Sequence, residues 1–146
     1  STGLVGSEMC IRDRHKTIIF ITHDLDEALR IGDNIAILRD GKIIQKGDPQ
    51  QIIMKPADDY ISDFIKDINR GKVIEVKSIM QKGSSKGTSL DSSCSLEDAL
   101  KVLNNEKNNE CSVVDDKGKK IGKVTLDAAI SALFREKASK NKEKYK

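Results

Sequence analysis

The first apolar run of the chain, TIIFIT at residues 17–22, is apolar on both faces instead of alternating with polar positions. Such a short β-branched and aromatic run is typical of a central strand in a parallel sheet that helices cover on both sides. The run ends at His23, and Asp24 then opens a D-x-x-E pattern with Glu27, which predicts a helix N-terminus. Gly32 stands where that helix would end. The pattern therefore predicts a strand, a histidine at its carboxyl end and a short amphipathic helix.

A hairpin and a second helix are predicted next. Residues 34–39 are typical of a strand, the Asp-Gly pair at residues 40–41 is a strong two-residue turn signal, and residues 42–46 complete the hairpin. Asp48 is followed by proline, which suits the first helical position, and Gln51 completes a second capping box. The order of these signals predicts an α/β segment with a histidine near the end of its first strand.

Beyond residues 69–72 the composition changes, which predicts the start of a second unit. Ser95 is placed to cap a helix, residues 112–115 and 120–124 are typical of two strands joined by a turn, and Thr125 is placed to cap a last helix. The apolar face of the first of these helices comprises Leu96, Ala99, Leu100, Val102 and Leu103. With the segment at residues 73–80 as its first strand, followed by a loop to about residue 88, the predicted order of elements is β-α-β-β-α.

Residues 16–47 resemble the C-terminal part of the ATP-binding domain of ABC transporters, with the switch (H-loop) pattern TIIFITHDLDEA and the hairpin that follows it. DLDEALRIGD, with PADDYISDF at residues 56–64, is most similar to the glycine betaine, proline and carnitine uptake family. The resemblance extends to residue 68. It implies that His23 is the switch histidine, which contacts the ATP γ-phosphate and helps to orient the attacking water. Without the resemblance, a histidine at a strand end is more often a loop residue that packs locally.

Residues 73–134 resemble one CBS motif, with VKSIM at its head, SLEDAL at its first helix and CSVVDDKGKKIGKVT at its hairpin. CBS motifs normally work in pairs, and one is visible here. Members that bind adenosine place an aspartate three residues after a threonine equivalent to Thr125, whereas here that position is Ala128 and Asp127 is one residue short. A structural or dimerising role is therefore favoured over ligand binding, and the strand edge at residues 113–116 is interpreted as core.

The sequence lacks the other motifs of an ATPase. No G-x-x-x-x-G-K-[ST] loop, LSGGQ-type signature or apolar run ending in Asp-Glu is present, and the glycine-serine stretch at residues 83–87 has the wrong spacing. The chain alone is therefore predicted to be inactive, although the resemblance implies that the intact subunit is a transport ATPase that uses ATP and Mg²⁺. Residues 1–14 do not continue the ABC pattern and resemble a translated sequencing-adapter tail. A genuine but poorly ordered N-terminus is the alternative.

Composition and charge narrow the possible partners. The net charge of the 146 residues is +3, but residues 135–146 hold six basic and two acidic residues, and the remainder has 20 basic and 21 acidic. The basicity is therefore a tail, expected to be solvated or to contact an anionic membrane. Five aromatic residues and no Trp argue against nucleic-acid binding. Cys10, Cys94 and Cys111 have no metal-ligand spacing, and no metal site is predicted.

These interpretations combine into one division of the chain. We predict a non-native or disordered leader at 1–14, the C-terminal part of a P-loop ABC ATPase domain at 15–70, a single CBS-like domain at 71–136 and a basic tail at 137–146. The fold class is α/β, with an incomplete sheet plus a hairpin followed by a small β-α-β-β-α unit.

The resemblance implies a fragment of the ATP-binding subunit of an importer of glycine betaine- or proline-type osmoprotectants, with a CBS regulatory segment. Its partners would be a second ATPase subunit, a membrane permease and, indirectly, a substrate-binding protein, at the cytoplasmic face of the plasma membrane. The alternative is a non-catalytic CBS-type regulatory or dimerisation module.

Overall fold

The computed structural model describes residues 16–134. The helices are α1 (Leu25–Ile31), α2 (Pro49–Met54), α3 (Asp59–Phe64), α4 (Arg70–Val73), α5 (Leu96–Leu103) and α6 (Leu126–Leu133). The strands are β1 (Ile35–Arg39), β2 (Lys42–Gly47), β3 (Ser89–Asp91), β4 (Glu110–Val114) and β5 (Lys120–Thr125), and a short 3-10 turn covers Val76–Ser78. We call residues 16–68 the N-terminal unit and residues 74–134 the C-terminal unit, with α4 between them.

The predicted strand at residues 17–22 is wrong, because this segment has no regular secondary structure. Ile19 and Ile21 are each 89% exposed. A strand that is apolar on both faces is stabilised by neighbouring strands and by helices on both sides of the sheet. Within residues 16–134 no strand pairs with this segment. Its β-branched residues therefore lack the neighbouring strands that would stabilise an extended strand here.

Helix α1 forms where the sequence predicts it, but its capping box is half formed. The Asp24 carboxylate accepts hydrogen bonds from the amides of Asp26 (3.0 Å) and Glu27 (3.3 Å). The Glu27 carboxylate does not return to the cap; instead, it accepts a hydrogen bond from the Thr22 hydroxyl at 2.6 Å. The helix ends at Gly32, whose φ of −79° and ψ of 132° are extended and not left-handed. Of the two sequence signals for α1, the Asp24 cap therefore forms, and Gly32 does not adopt a left-handed C-terminal conformation.

The predicted hairpin and second capping box are confirmed. Strands β1 and β2 pair antiparallel, and Asp40 (φ 50°) and Gly41 (φ 73°) both have the positive φ that a type I′ turn requires. At the start of α2, the Asp48 carboxylate accepts from the Gln51 amide at 2.9 Å, and the Gln51 side chain accepts from the Asp48 amide at 3.2 Å. This reciprocal pair fixes the entry into α2, which buries Ile52 and the residue after it.

The helix-strand-strand-helix part of the predicted order is confirmed in the C-terminal unit, but its first strand is not where the sequence predicts it. Residues 73–80 contain the end of α4 and a 3-10 turn, because their backbone bonds to the Gln50 side chain and to the turn before α5. The first strand is β3. Strand β4 is central, parallel to β3 and antiparallel to β5. The hydroxyl of Ser95 accepts from the Asp98 amide, and that of Thr125 accepts from the Ala128 amide, each at 3.2 Å, so both predicted caps form. The fully buried side chains of this unit are Ile74, Val76, Leu96, Ala99, Leu103, Cys111, Ser112, Val113, Val124 and Ala129.

The two units share one continuous hydrophobic cluster, which contains buried residues from α1, β1 and α2 as well as from β3 to α6. Helix α4 lies where the composition change predicts a boundary between domains. The division at residues 15–70 and 71–136 stays a prediction. The predicted leader (1–14) and basic tail (137–146) lie outside the described residues.

Candidate functional site

The predicted site residue, His23, lies between the exposed apolar segment and the start of α1. Its side chain is exposed. It borders an open depression of about 510 Å³. The other lining residues are 24–26 at the start of α1, Phe64 at the end of α3, and Asp67 and Ile68 beyond it. The chain therefore presents the imidazole at a concave surface between two short helices.

A local hydrogen-bond network fixes the backbone on both sides of His23. The Asp24 amide donates to the Thr22 hydroxyl at 3.0 Å, and that hydroxyl donates to Glu27 in the first turn of α1 at 2.6 Å. Because Asp24 also caps α1, the residues before and after His23 are both held by the helix N-terminus. The position of His23 follows from this turn, and the sequence signals for the turn are Asp24 and Glu27.

The charges around the depression are mostly negative. Three carboxylates line it, those of Asp24, Asp26 and Asp67, and none of its lining residues is Lys or Arg. Asp24 is engaged by the α1 amides, and Asp26 lies 3.5 Å from the guanidinium of Arg30 in an exposed ion pair. This surface offers one donor side chain, the imidazole, rather than the several amides and cations that hold a nucleoside triphosphate.

The described residues around His23 thus supply one imidazole and three carboxylates. Within residues 16–134, no group of three or more His, Cys, Asp or Glu residues is arranged to hold a metal ion. The arrangement around His23 offers a single imidazole hydrogen-bond donor at an exposed, acidic surface.

The C-terminal unit has no carboxylate where the resemblance to CBS motifs would require one for a ribose. The Thr125 hydroxyl is used as the cap of α6, Ala128 supplies an amide to that cap, and Asp127 is exposed in the first turn. Val113 is fully buried in the central strand β4. These placements agree with packing and capping roles for the residues that the motif comparison singled out.

Sequence reasoning missed a polar link inside the C-terminal unit. The fully buried Ser112 hydroxyl accepts from the Ser85 amide at 3.0 Å and donates to the Ser85 carbonyl at 2.8 Å. Nearby, the Glu106 carboxylate accepts from the amide and hydroxyl of Thr88, and these hydrogen bonds lower the pKa of Glu106. Two serines 27 positions apart give no sequence signal for such a contact, and both links fix the loop before β3.

The two cysteines in the described residues are buried or half-buried and unreactive in character. Burial, with a smaller contribution from the Glu106 carboxylate, raises the pKa of the Cys111 thiol to about 11. Burial, followed by the Asp98 carboxylate, raises the pKa of Cys94 as well. A thiol that resists ionisation is a poor nucleophile and a poor metal ligand, so neither cysteine is a candidate catalytic group.

The geometry thus defines an α/β chain with a surface histidine at the N-terminus of a helix, and no protein-family model matches it. The chain is 57% identical over 65 residues to the glycine betaine/carnitine transport ATP-binding protein GbuA of Listeria monocytogenes, an alignment that covers 44% of this chain and 16% of that protein. It is 39% identical over 124 residues to the trimethylamine N-oxide transport system ATP-binding protein TmoW of Pelagibacter ubique, covering 82% and 36%. The predicted resemblance to ATP-binding subunits of quaternary-amine transporters is confirmed by these relatives.

The longer alignments reach into the C-terminal unit. With the glycine betaine/proline betaine transport system ATP-binding protein ProV of Escherichia coli, the chain is 36% identical over 118 residues, covering 81% of this chain and 30% of that protein. An alignment of this length must include residues beyond position 70. The chain therefore spans about a sixth to just over a third of the length of these relatives.

Among solved structures, the chain is similar to the CBS-pair protein CBSX2 of Arabidopsis thaliana at 21% identity, over 74% of this chain and 75% of that one, with a TM-score of 0.30. A score this low carries no argument about the fold. The element order of the C-terminal unit is the observation that supports its likeness to a CBS motif. Within residues 16–134, none of the helices has the length and apolar content that a membrane span requires.

Proposed function

We propose that this chain is part of the ATP-binding subunit of an ABC importer for glycine betaine-type and related quaternary-amine solutes. The observation that supports this most is the 57% identity over 65 residues to a glycine betaine/carnitine transport ATP-binding protein, together with the placement of His23 at the surface where α1 begins. The subunit would bind and hydrolyse ATP with Mg²⁺, and the remaining phosphate and metal contacts would come from residues other than those described.

In this proposal His23 donates a hydrogen bond to the γ-phosphate. Phosphoryl transfer depends on positioning and on donors aimed at the charge that develops on the transferred group. The turn held by Thr22, Asp24 and Glu27 fixes the backbone on both sides of His23 and so fixes the point from which the imidazole projects. The three carboxylates of the depression make a second, unaided phosphate contact at this surface unfavourable.

Partners and location follow from the same proposal. The subunit would pair with a second copy, dock on a membrane permease and act at the cytoplasmic face of the membrane, with a substrate-binding protein that selects the solute. The C-terminal unit would be a CBS-type regulatory segment. Its β-α-β-β-α order supports this, and Ala128 in place of the expected carboxylate argues for a structural role.

The proposal is tested by exchanging residues 16–68 into the Listeria glycine betaine/carnitine ATP-binding protein and measuring betaine uptake in cells that lack the native subunit. We expect the chimera to support uptake and His23→Ala in the chimera to abolish it. Loss of one preorganised transition-state donor typically costs about 10²–10³-fold in rate.

The matched control is Lys46→Ala, an exposed residue of β2 that does not border the depression. It should leave uptake unchanged. If the chimera is made at normal levels and transports betaine equally well with or without His23, the assignment of this residue is wrong. A chimera that accumulates normally and never supports uptake would instead favour the non-catalytic regulatory or dimerisation module.

A further inference from the structure

The side chain of Gln50 in α2 reaches from the N-terminal unit to the first residues of the C-terminal unit. Its Nε2 donates to the carbonyl of Val73 at 2.8 Å. Its Oε1 accepts from the amide of Glu75 at 3.0 Å and from the hydroxyl of Ser78 at 2.9 Å. One amide side chain therefore makes three hydrogen bonds to the segment that leads into β3, in the way a strand would bond to its neighbour.

Arg70 in α4 makes a second connection, between the ends of two helices. Its Nε donates to the carbonyl of Ala132 at 2.9 Å, in the last turn of α6, and its Nη1 donates to the carbonyl of Ile53 at 2.9 Å, in the last turn of α2. Carbonyls in the last turn of a helix have no partner within the helix, and a cation there is favoured by the helix dipole. Arg70 thus satisfies one carbonyl in each unit with the same guanidinium.

The two connections involve opposite ends of α2. Gln50 is near its N-terminus, and Ile53 is near its C-terminus. Helix α2 has six residues, too few to be stable without tertiary contacts. Its stability is therefore expected to depend on the groups that hold its two ends. Two of them, the Glu75 amide and the Ser78 hydroxyl, belong to the C-terminal unit, and Arg70 is itself bonded to α6 of that unit.

We propose that Gln50 and Arg70 form a clamp that makes α2 and the C-terminal unit open as one cooperative block. Local opening of the C-terminal unit would then be transmitted to α2 and to the hairpin that precedes it. This inference rests on contacts within residues 16–134 and is independent of the transport assignment.

The test is amide hydrogen exchange on the full 146-residue chain. It is read at the amide of Ile52 in α2 and at the amide of Lys55, the C-cap of α2, which donate to the carbonyls of Asp48 and Gln51. The C-terminal unit is loosened by Val113→Ala, a truncation at a fully buried site of β4. We expect exchange at both amides to rise by roughly tenfold with that truncation, in parallel with β4, because the two open together. In a Gln50→Ala, Arg70→Ala background, α2 exchange should already be fast and should not respond to Val113→Ala.

The matched control is Gln45→Ala. The Gln45 side chain also makes two hydrogen bonds, to the Lys55 carbonyl and from the Ala57 amide, but both lie within the N-terminal unit. This variant should raise exchange in α2 and leave its response to Val113→Ala intact. If the double variant does not fold, Arg70→Lys keeps the charge without the fork that reaches two carbonyls, and the response should weaken. An α2 response to Val113→Ala that is absent in the parent chain, or equal in both backgrounds, would overturn the proposal.

Discussion

The two units of this chain differ in how completely they bury their own apolar side chains. In the C-terminal unit, Leu96, Leu103 and Val113 are fully buried around a three-stranded sheet and two helices. In the N-terminal unit, Ile19 and Ile21 are almost fully exposed in a segment that the sequence predicts as a strand. The N-terminal unit, which contains the ABC-like motif, therefore leaves more of its apolar side chains exposed. A strand that is apolar on both faces depends on neighbouring strands and helices, and residues 16–134 do not provide them.

A segment can therefore contain a recognisable sequence motif without burying its own apolar residues. The N-terminal unit has the candidate site residue, His23, on a capped turn that follows an exposed apolar segment. The C-terminal unit has a packed core and fixed caps, and its residues at the expected ligand positions perform structural roles. Matched changes in the two units test this difference.

Leu103→Ala and Leu38→Ala compare the same truncation in the two units. Leu103 is fully buried in α5, whereas Leu38 in β1 is 58% exposed. We expect Leu103→Ala to lower the free energy of unfolding by about 2–5 kcal/mol. Leu38→Ala should lower it by less than about 1 kcal/mol. Urea denaturation followed by circular dichroism measures both, and similar losses would show that the two units do not differ in packing as described.

Gly122→Ala tests the close approach of β5 to the preceding loop. An added Cβ would lie 2.8 Å from the Gln81 carbonyl and 3.1 Å from the sulfur of Met80. We expect a loss of about 1–3 kcal/mol in the free energy of unfolding, because the carbonyl belongs to the backbone and cannot turn aside. In the N-terminal hairpin, a Cβ added at Gly41 would meet no atom within 4 Å, but the φ of this residue is +73°. Gly41→Ala should therefore lower the free energy of unfolding by about 1 kcal/mol. A larger loss from Gly41→Ala would contradict the packing at β5.

Ser95→Ala and Asp24→Ala remove one helix cap from each unit. The loss of the Ser95 cap should lower the unfolding free energy by about 1 kcal/mol, since α5 is part of the packed core. The loss of the Asp24 cap should instead raise exchange locally at the amides of Asp26 and Glu27, with little change in the global transition. Thermal melts and hydrogen exchange distinguish these results. A global loss from Asp24→Ala as large as that from Ser95→Ala would mean that α1 is fully integrated into the core.

The smallest effect concerns thiol reactivity at alkaline pH. Because the pKa of Cys111 is raised to about 11 from an ordinary value of 9.0, burial of the neutral thiol contributes stability that is fully present below pH 9 and is lost as the pH rises towards 11. At pH 8 we expect iodoacetamide to label Cys111 more slowly than Cys94, which is half-buried. Mass spectrometry of the labelled peptides measures the rates, and faster labelling of Cys111 would show that β4 opens readily.

Local signals predicted much of this fold correctly. The caps at Asp24, Asp48, Ser95 and Thr125 and the turn at residues 40–41 each depend on a few neighbouring residues, and all are formed. The failed strand at residues 17–22 depends on partners distant in sequence, which local patterns cannot reveal. The links made by Gln50, Arg70 and Ser112 were missed for the same reason, since each joins residues that lie far apart along the chain.

The candidate site was predictable to a smaller extent. The position of His23 before a capped helix follows from the D-x-x-E pattern, and the residue is exposed there. The acidic surroundings were not predicted, because Asp67 reaches the depression from beyond α3. Tertiary packing places that carboxylate, and no spacing along the chain indicates it.

The most direct test of the central proposal is the DNA sequence of the source across and upstream of the codons for residues 1–16. We predict that the open reading frame continues upstream through a G-x-x-x-x-G-K-[ST] loop, a signature motif and an apolar strand that ends in acidic residues, which are the parts of an ATP site that His23 would complete. A stop codon in frame, followed by a start codon at or near Met9, would contradict the assignment to an ATP-binding subunit.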